Sequence, residues 1–310
     1  TLLRHHDREG FDVTVYEEVG QGGGASARLR DIAPIWRDLT GLTPAAQAAA
    51  IRDDGVDILN HTATYKARYR QILAHHAAPL QLASTNFMAT TGLRSVDYVV
   101  TDPMIDPVGE GEDYYCENLI RLSRFNAYQP PADCPPISAL PAREAENITF
   151  GSFNNVAKIS SETLDLWAEI LTKVPGARLI LKHRALDDRG IAETRWRFDG
   201  FTAARADYLA AYDEIDIALD PIPFGGGTTS YEALWMGVPV VTIGGGGISA
   251  GQSAGAMTAA GIGAFIATSR ESYVAIAVMA AADLDRLAAI RANLRGSLDE
   301  TAFNGAKHVA

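Results

Sequence analysis

The pattern of apolar and polar positions is sharpest between Asp216 and Ile243, in the stretch DIALDPIPFGGGTTSYEALWMGVPVVTI. Ile217, Ala218 and Leu219 form a short apolar run closed by Asp220-Pro221, the pattern of a strand buried on both faces. Pro221 and Pro223 bring no amide donors and end the ladder. Gly225, Gly226 and Gly227 allow a sharp turn and let a ligand come close to the backbone. Thr228, Thr229 and Ser230 stand where a helix begins, and Tyr231 to Met236 continue it. Gly237 ends that helix, Pro239 follows, and Val240, Val241 and Ile243 start the next strand. The stretch predicts a parallel βαβ unit whose glycine loop feeds a helix N-terminus, where amides and the helix dipole favour phosphate. The spacing is neither G-x-x-x-x-G-K-[ST] nor G-x-G-x-x-G. On the loop alone, a tight turn without ligand stands beside a phosphate site.

The same reading extends along the chain. Residues 12–18 alternate like a strand, GQGGGASA at 20–27 reads as a flexible turn, and Arg28 to Leu39 as a helix. Glu17 and Glu18 would repel phosphate from this first triple glycine, which favours a surface loop there. Thr43 and Pro44 fit N-cap and first helical position of a helix running to about Asp53. Strands are expected at 56–62, 79–84, 97–102 and 118–123, with a helix over about 66–77. Residues 129–141, QPPADCPPISALP, hold five of the chain's 14 prolines and read as a stiff linker. The boundary is placed there, giving one domain over 1–140 and a second over 141–310. In the second half, strands are expected at 147–153, 177–183 and 195–201. Ser160 or Ser161 caps a helix that puts Leu164, Trp167, Leu171 and Val174 on one face. Another helix covers 205–215. After Ile243 come a second glycine loop, a small-residue helix over about 249–260, the short strand AFIAT, and closing helices from Ser269 to about 298. The alternation predicts an α/β chain of two Rossmann-like, doubly wound domains facing a cleft, with ligand at the carboxyl ends of the strands.

Composition narrows the function classes. A 310-residue chain with 47% hydrophobic and 21% charged residues fits a globular protein of two domains. A formal net charge of −11 argues against nucleic acid as a partner, so an anionic ligand would need local positive groups and amides. Cys116 and Cys134 fit neither a metal-ligand spacing nor a disulfide framework, which points to a reducing, cytoplasmic setting. No run reaches membrane-spanning length, and the first residues, TLLRHHDREGFD, do not read as a signal peptide.

The order of motifs resembles a known family. FGSFNNVAKIS, a helix containing LWAEIL, VPGARLILK and DIALDPIPFGGGTTSYEALWMGVPVVT are similar to the catalytic region of the O-linked N-acetylglucosamine transferase and SPINDLY-like family, glycosyltransferase family 41. DGVDILNHTA, APLQLAS, TTGLRSVDYVVTDP and YQPP extend the resemblance through the first half. It implies a GT-B fold and a metal-independent, inverting transfer of a sugar, commonly N-acetylglucosamine, from a UDP-sugar to serine or threonine hydroxyls of proteins. It implies no cofactor beyond the donor, with a protein or peptide acceptor as partner. Members usually carry tetratricopeptide repeats before this region. By resemblance, Lys158 takes the diphosphate-lysine position, and Thr228 and Thr229, after Gly226 and Gly227, lie at the diphosphate. Asn155 contacts the nucleotide, Glu232 holds the ribose hydroxyls, Tyr208 stands where a histidine is usual beside the nucleotide, and His61, in a turn facing the cleft, joins Lys158 as a catalytic candidate.

Each residue also has a plainer role. Lys158 fits a solvated loop lysine, Thr228 and Thr229 fit helix caps, Glu232 an exposed helix position, and His61 a hydrogen-bonded structural histidine. The sequence also departs from the family. The family's first strand would precede Thr1, the sugar-pocket loop reads Asn86-Phe87-Met88-Ala89, Gln252 falls near a common arginine, and the segment between Leu186 and Trp196 is short. These departures keep open a degenerate protein of the same fold that binds a nucleotide sugar, or serves as a scaffold, without turnover. A nicotinamide-dependent oxidoreductase is disfavoured by the missing G-x-G-x-x-G.

Overall fold

The structure, a computed structural model, describes residues 3, 6–18, 27, 29–62, 67–84, 89–123, 128–182, 192–200, 202, 204–245 and 248–301. Two compact units divide the chain, with residues 1–127 in one and 128–303 in the other.

In the first unit, β1 (Thr14–Glu17) pairs in parallel with β2 (Ile35–Asp38). A separate four-stranded sheet holds β3 (Ile58–His61), β4 (Leu80–Ala83), β5 (Tyr98–Thr101) and β6 (Asn118–Arg121) in chain order, all parallel. Helix α1 (Pro44–Asp53) starts as predicted, with Thr43 Oγ1 accepting the Ala46 amide at 3.3 Å and proline in the first turn. Helix α2 (Ala67–Ala74) buries Tyr69, Ile72 and Leu73 in a core with Ile51, Leu59, Ala83 and Val99. The helix expected over 28–39 is corrected, because residues 35–38 are strand β2. Leu29, Ile32, Ile35, Trp36 and Leu39 mimic helical spacing, but Pro34 interrupts it and disfavours helix at the residue before it.

The second unit carries a six-stranded parallel sheet of β7 (Thr149–Ser152), β8 (Arg178–Leu181), β9 (Trp196–Phe198), β10 (Ile217–Leu219), β11 (Val240–Ile243) and β12 (Ile266–Ala267), in the order β12-β11-β10-β7-β8-β9. The chain therefore winds one way from β7 and the other way from β10. Among the described residues, after a single helical turn at Ala142–Ala145, six helices connect or close the strands: α3 (Ser161–Lys173), α4 (Arg205–Ala210), α5 (Thr228–Trp235), α6 (Ile248–Ala259), α7 (Arg270–Ala281) and α8 (Leu284–Thr301). The sheet buries both faces by strict alternation. Phe150, Leu179, Leu181, Ile217, Leu219 and Val241 pack against Trp167 and Ile170 of α3, whereas Ile180, Ala218 and Val240 meet Tyr212, Leu234 and Met257 on the other side.

Residues 128–141 form no helix or strand, as their prolines require. They belong to the second unit, and the boundary lies before Tyr128 rather than at residue 140. Tyr128 stacks on Tyr231 at 6.1 Å, Trp235 Nε1 donates to Cys134 Sγ at 3.0 Å, and Arg295 donates to the Pro135 carbonyl at 3.0 Å. Arg291, 2% exposed, donates to the Ser138 carbonyl at 2.9 Å and to its hydroxyl at 2.8 Å. Proline density excludes regular structure; it does not exclude packing.

Candidate functional site

Strand order reverses between β7 and β10, so the loops leaving these neighbours diverge and open a crevice at their carboxyl ends. Those two loops carry Asn155, Lys158, Gly226, Gly227, Thr228 and Thr229. After β7, residues 156–158 make one tight helical turn, capped by Asn155 Oδ1, which accepts the Ala157 amide at 3.0 Å. The turn aims Lys158 across to the other loop. Its Nζ donates to the Gly225 carbonyl at 2.8 Å and lies 4.5 Å from the centre of the Phe224 ring. Burial lowers the Lys158 pKa, and the Asp220 carboxylate opposes that.

The loop after β10 is pinned from beneath. Tyr273 donates to the Asp220 carbonyl at 2.8 Å, and Thr163 Oγ1 both donates to the Ile222 carbonyl and accepts its amide, each at 2.9 Å. Neither Gly226 nor Gly227 has positive φ. Close approach is what demands glycine: a Cβ on Gly226 would collide with Ser230 Oγ and come within 2.9 Å of Asp220 Oδ1, and one on Gly227 would collide with Gln252 Oε1. Gly227 is the N-cap of α5, and no side chain caps this helix. The Thr228 and Thr229 amides meet no acceptor among the described residues. Thr229 Oγ1 instead donates to Asn154 Oδ1 at 3.0 Å, and Asn154 Nδ2 donates to Asp220 Oδ1 at 3.3 Å. The corner thus offers one ammonium group, two helix-start amides and hydroxyls to an anion.

One turn further along α5, Glu232 is 3% exposed, not the exposed position that its plainer reading gave it. Arg205 pairs with it at 2.6 Å and Tyr208 donates to its other oxygen at 3.1 Å, which brings two of the predicted residues together. Burial raises the Glu232 pKa; Arg205 and Tyr208 pull it back. Burial, then the Glu232 charge, push the Tyr208 hydroxyl up. The Tyr208 ring stands 5.8 Å from Phe153, and Lys182, ion-paired with Asp199 at 2.7 Å, lies 4.8 Å from the Phe153 ring centre. A carboxylate has about four lone-pair directions, so Glu232 keeps acceptor capacity beyond these two donors.

His61 belongs to the first unit, at the carboxyl end of β3, with its ring 5.0 Å from Tyr69. Burial pushes its pKa down to about 4, so the imidazole is neutral at pH 7 and weakly basic. Asn155 sits at the corner but spends its oxygen on its own turn. The buried amide that joins the two loops is Asn154, which sequence reading passed over. The signal was available: an asparagine two residues before Ala157 has the spacing of an Asx cap, which frees its neighbour for other work. Arg205 was also missed, although a glutamate on a helix as apolar as α5 calls for a cation. Phe87 and most of the segment between Leu186 and Trp196 lie outside the described residues. Among the described residues, no three His, Cys, Asp or Glu side chains group as metal ligands, and no helix is long and apolar enough to cross a membrane.

The family model "Glycosyl transferase family 41" matches residues 2–126 and 139–309. The chain belongs to this family. A relative from Oryza sativa subsp. japonica, named "Probable UDP-N-acetylglucosamine--peptide N-acetylglucosaminyltransferase SPINDLY", is 34% identical over 95% of this chain and 34% of its own length. A lysine-to-methionine mutant of the Thermobaculum terrenum O-GlcNAc transferase superposes with a TM-score of 0.89 at 35% identity, covering 98% of this chain and 60% of that one. The Anabaena protein HepE in complex with UDP shares only 15% identity over 96% of this chain and 97% of its own, with a TM-score of 0.57, and shows fold alone. The fold class is α/β of the GT-B type. The chain spans about a third of the length of the curated family 41 relatives it matches.

Proposed function

We propose that this chain binds a UDP-sugar with its diphosphate at the β7/β10 corner and moves the sugar, N-acetylglucosamine, to a serine or threonine hydroxyl of a protein. The carrying observation is Lys158 joined to the glycine loop, beside a helix start with no side-chain cap. In the reaction the acceptor oxygen attacks the anomeric carbon from the face opposite the diphosphate. The bond from carbon to diphosphate oxygen breaks, UDP leaves with the electron pair, and the hydroxyl proton passes to a base. Charge therefore grows on the diphosphate, where Lys158 and the Thr228 and Thr229 amides stabilise it without a metal ion. Glu232, oriented by Arg205, takes the ribose hydroxyls, with Tyr208 and Asn155 beside the nucleotide. His61, in the first unit, is neutral at pH 7 and weakly basic, which disfavours it as a strong base. Names of the family 41 relatives support donor and acceptor alike. The free cysteines Cys116 and Cys134 favour the cytoplasm, and repeats outside this segment would present the acceptor.

One observation favours a protein that binds nucleotide without turnover. Gln252, near a common arginine of the family, abuts Gly227 and brings no second cation. Release of UDP from UDP-N-acetylglucosamine in the presence of acceptor peptides separates the two. Transfer predicts release above background, falling roughly 100- to 1000-fold in Lys158→Ala. Background release with intact UDP binding selects the scaffold.

A further inference from the structure

We propose that Asp220 is the positioning residue of the β7/β10 corner: through Asn154 it sets the Thr229 hydroxyl. The proposal rests on the phosphate reading of that corner and deepens it. Asp220 ends β10, is 1% exposed, and is a costly residue to bury. Several donors hold it in place. Asn154 Nδ2 donates to Oδ1 at 3.3 Å and Ser230 Oγ approaches the same oxygen at 3.5 Å. The Ser253 and Thr242 hydroxyls and the Gly226 amide also favour the charged carboxylate, against the burial that raises its pKa.

A carboxylate retained at such a cost has a use. Asp220 fixes the amide plane of Asn154, so that Oδ1 of Asn154 faces Thr229 and accepts its hydroxyl at 3.0 Å. With that proton committed downward, the lone pairs and the helix-start amide of Thr229 keep one orientation before ligand arrives. Its negative charge also opposes the loss of charge on Lys158. The loops after β7 and β10 are thus set by one carboxylate between them.

The test is UDP titration by calorimetry on the full chain, for wild type, Asp220→Asn, Asn154→Ala and the double variant, with thermal midpoints as a folding control. Each single variant should bind UDP about 10-fold more weakly, and the double should lose no more than the larger single, because both substitutions break one chain of contacts. Losses that multiply in the double variant, or wild-type affinity in either single, would overturn the proposal. If Asp220→Asn does not fold, Asp220→Glu, which keeps the charge but misplaces it, enters the same cycle with the same expectation. Wild type that fails to bind UDP at all refutes the phosphate reading itself, a result distinct from equal binding by wild type and variants.

Discussion

At the residue scale, Lys158 is held against the glycine loop and Glu232 against Arg205. These two and Thr229 were legible as candidates through the family resemblance, which assigns an ammonium group and a helix start to a diphosphate and a carboxylate to a ribose. Asn154, Asp220 and Arg205 were not, because their roles are contacts between elements 27 to 75 positions apart. His61 shows what burial does to a residue that sequence could only flag. Its folded pKa of about 4 lies below the ordinary 6.5. The unfolded chain takes up a proton near 6.5 while the folded one resists until about 4, so this stability is present above pH 6.5 and lost as pH falls toward 4. Urea unfolding at pH 7.5 and pH 4.5 should therefore show an acid loss in the wild type that exceeds the loss in His61→Gln, by at most about 3 kcal/mol. Equal losses would place the imidazole in water.

At the element scale, the strands and helices of the second unit were legible almost throughout, because both faces of its sheet are buried and alternation is strict. The first unit gave the one false helix, over 28–39, where spacing outvoted Pro34. The glycine loop was read for its freedom to turn, but the structure gives a different cause: its backbone lies against Ser230, Asp220 and Gln252. Gly226→Ala must therefore displace the buried side chains of Ser230 and Asp220 and that of Thr229. It should cost about 1–3 kcal/mol in chemical denaturation and weaken UDP binding more than Lys182→Ala does. Full stability in Gly226→Ala would mean that the loop has slack.

At the scale of the whole molecule, the proline-rich stretch changed its meaning. Read as a linker, 129–141 closed the first domain; folded, it belongs to the second unit and satisfies Arg291 and Arg295 of the closing helix. Fragment 128–303 should consequently be more stable than fragment 141–303, by at least about 2 kcal/mol in urea, since the shorter piece strands a buried guanidinium without Ser138. Equal stability would return these residues to the role of a linker. The two-way winding from β7 and β10 was implied by the βαβ rhythm, but only the strand order shows that the two candidate loops leave adjacent strands.

The account depends on one ammonium group and one helix start gripping a pyrophosphate between them, and calorimetric titration of UDP into wild type and Lys158→Ala tests this most directly. Saturable binding that weakens roughly 100-fold in the variant is the expected result; equal affinity in the two proteins would contradict it.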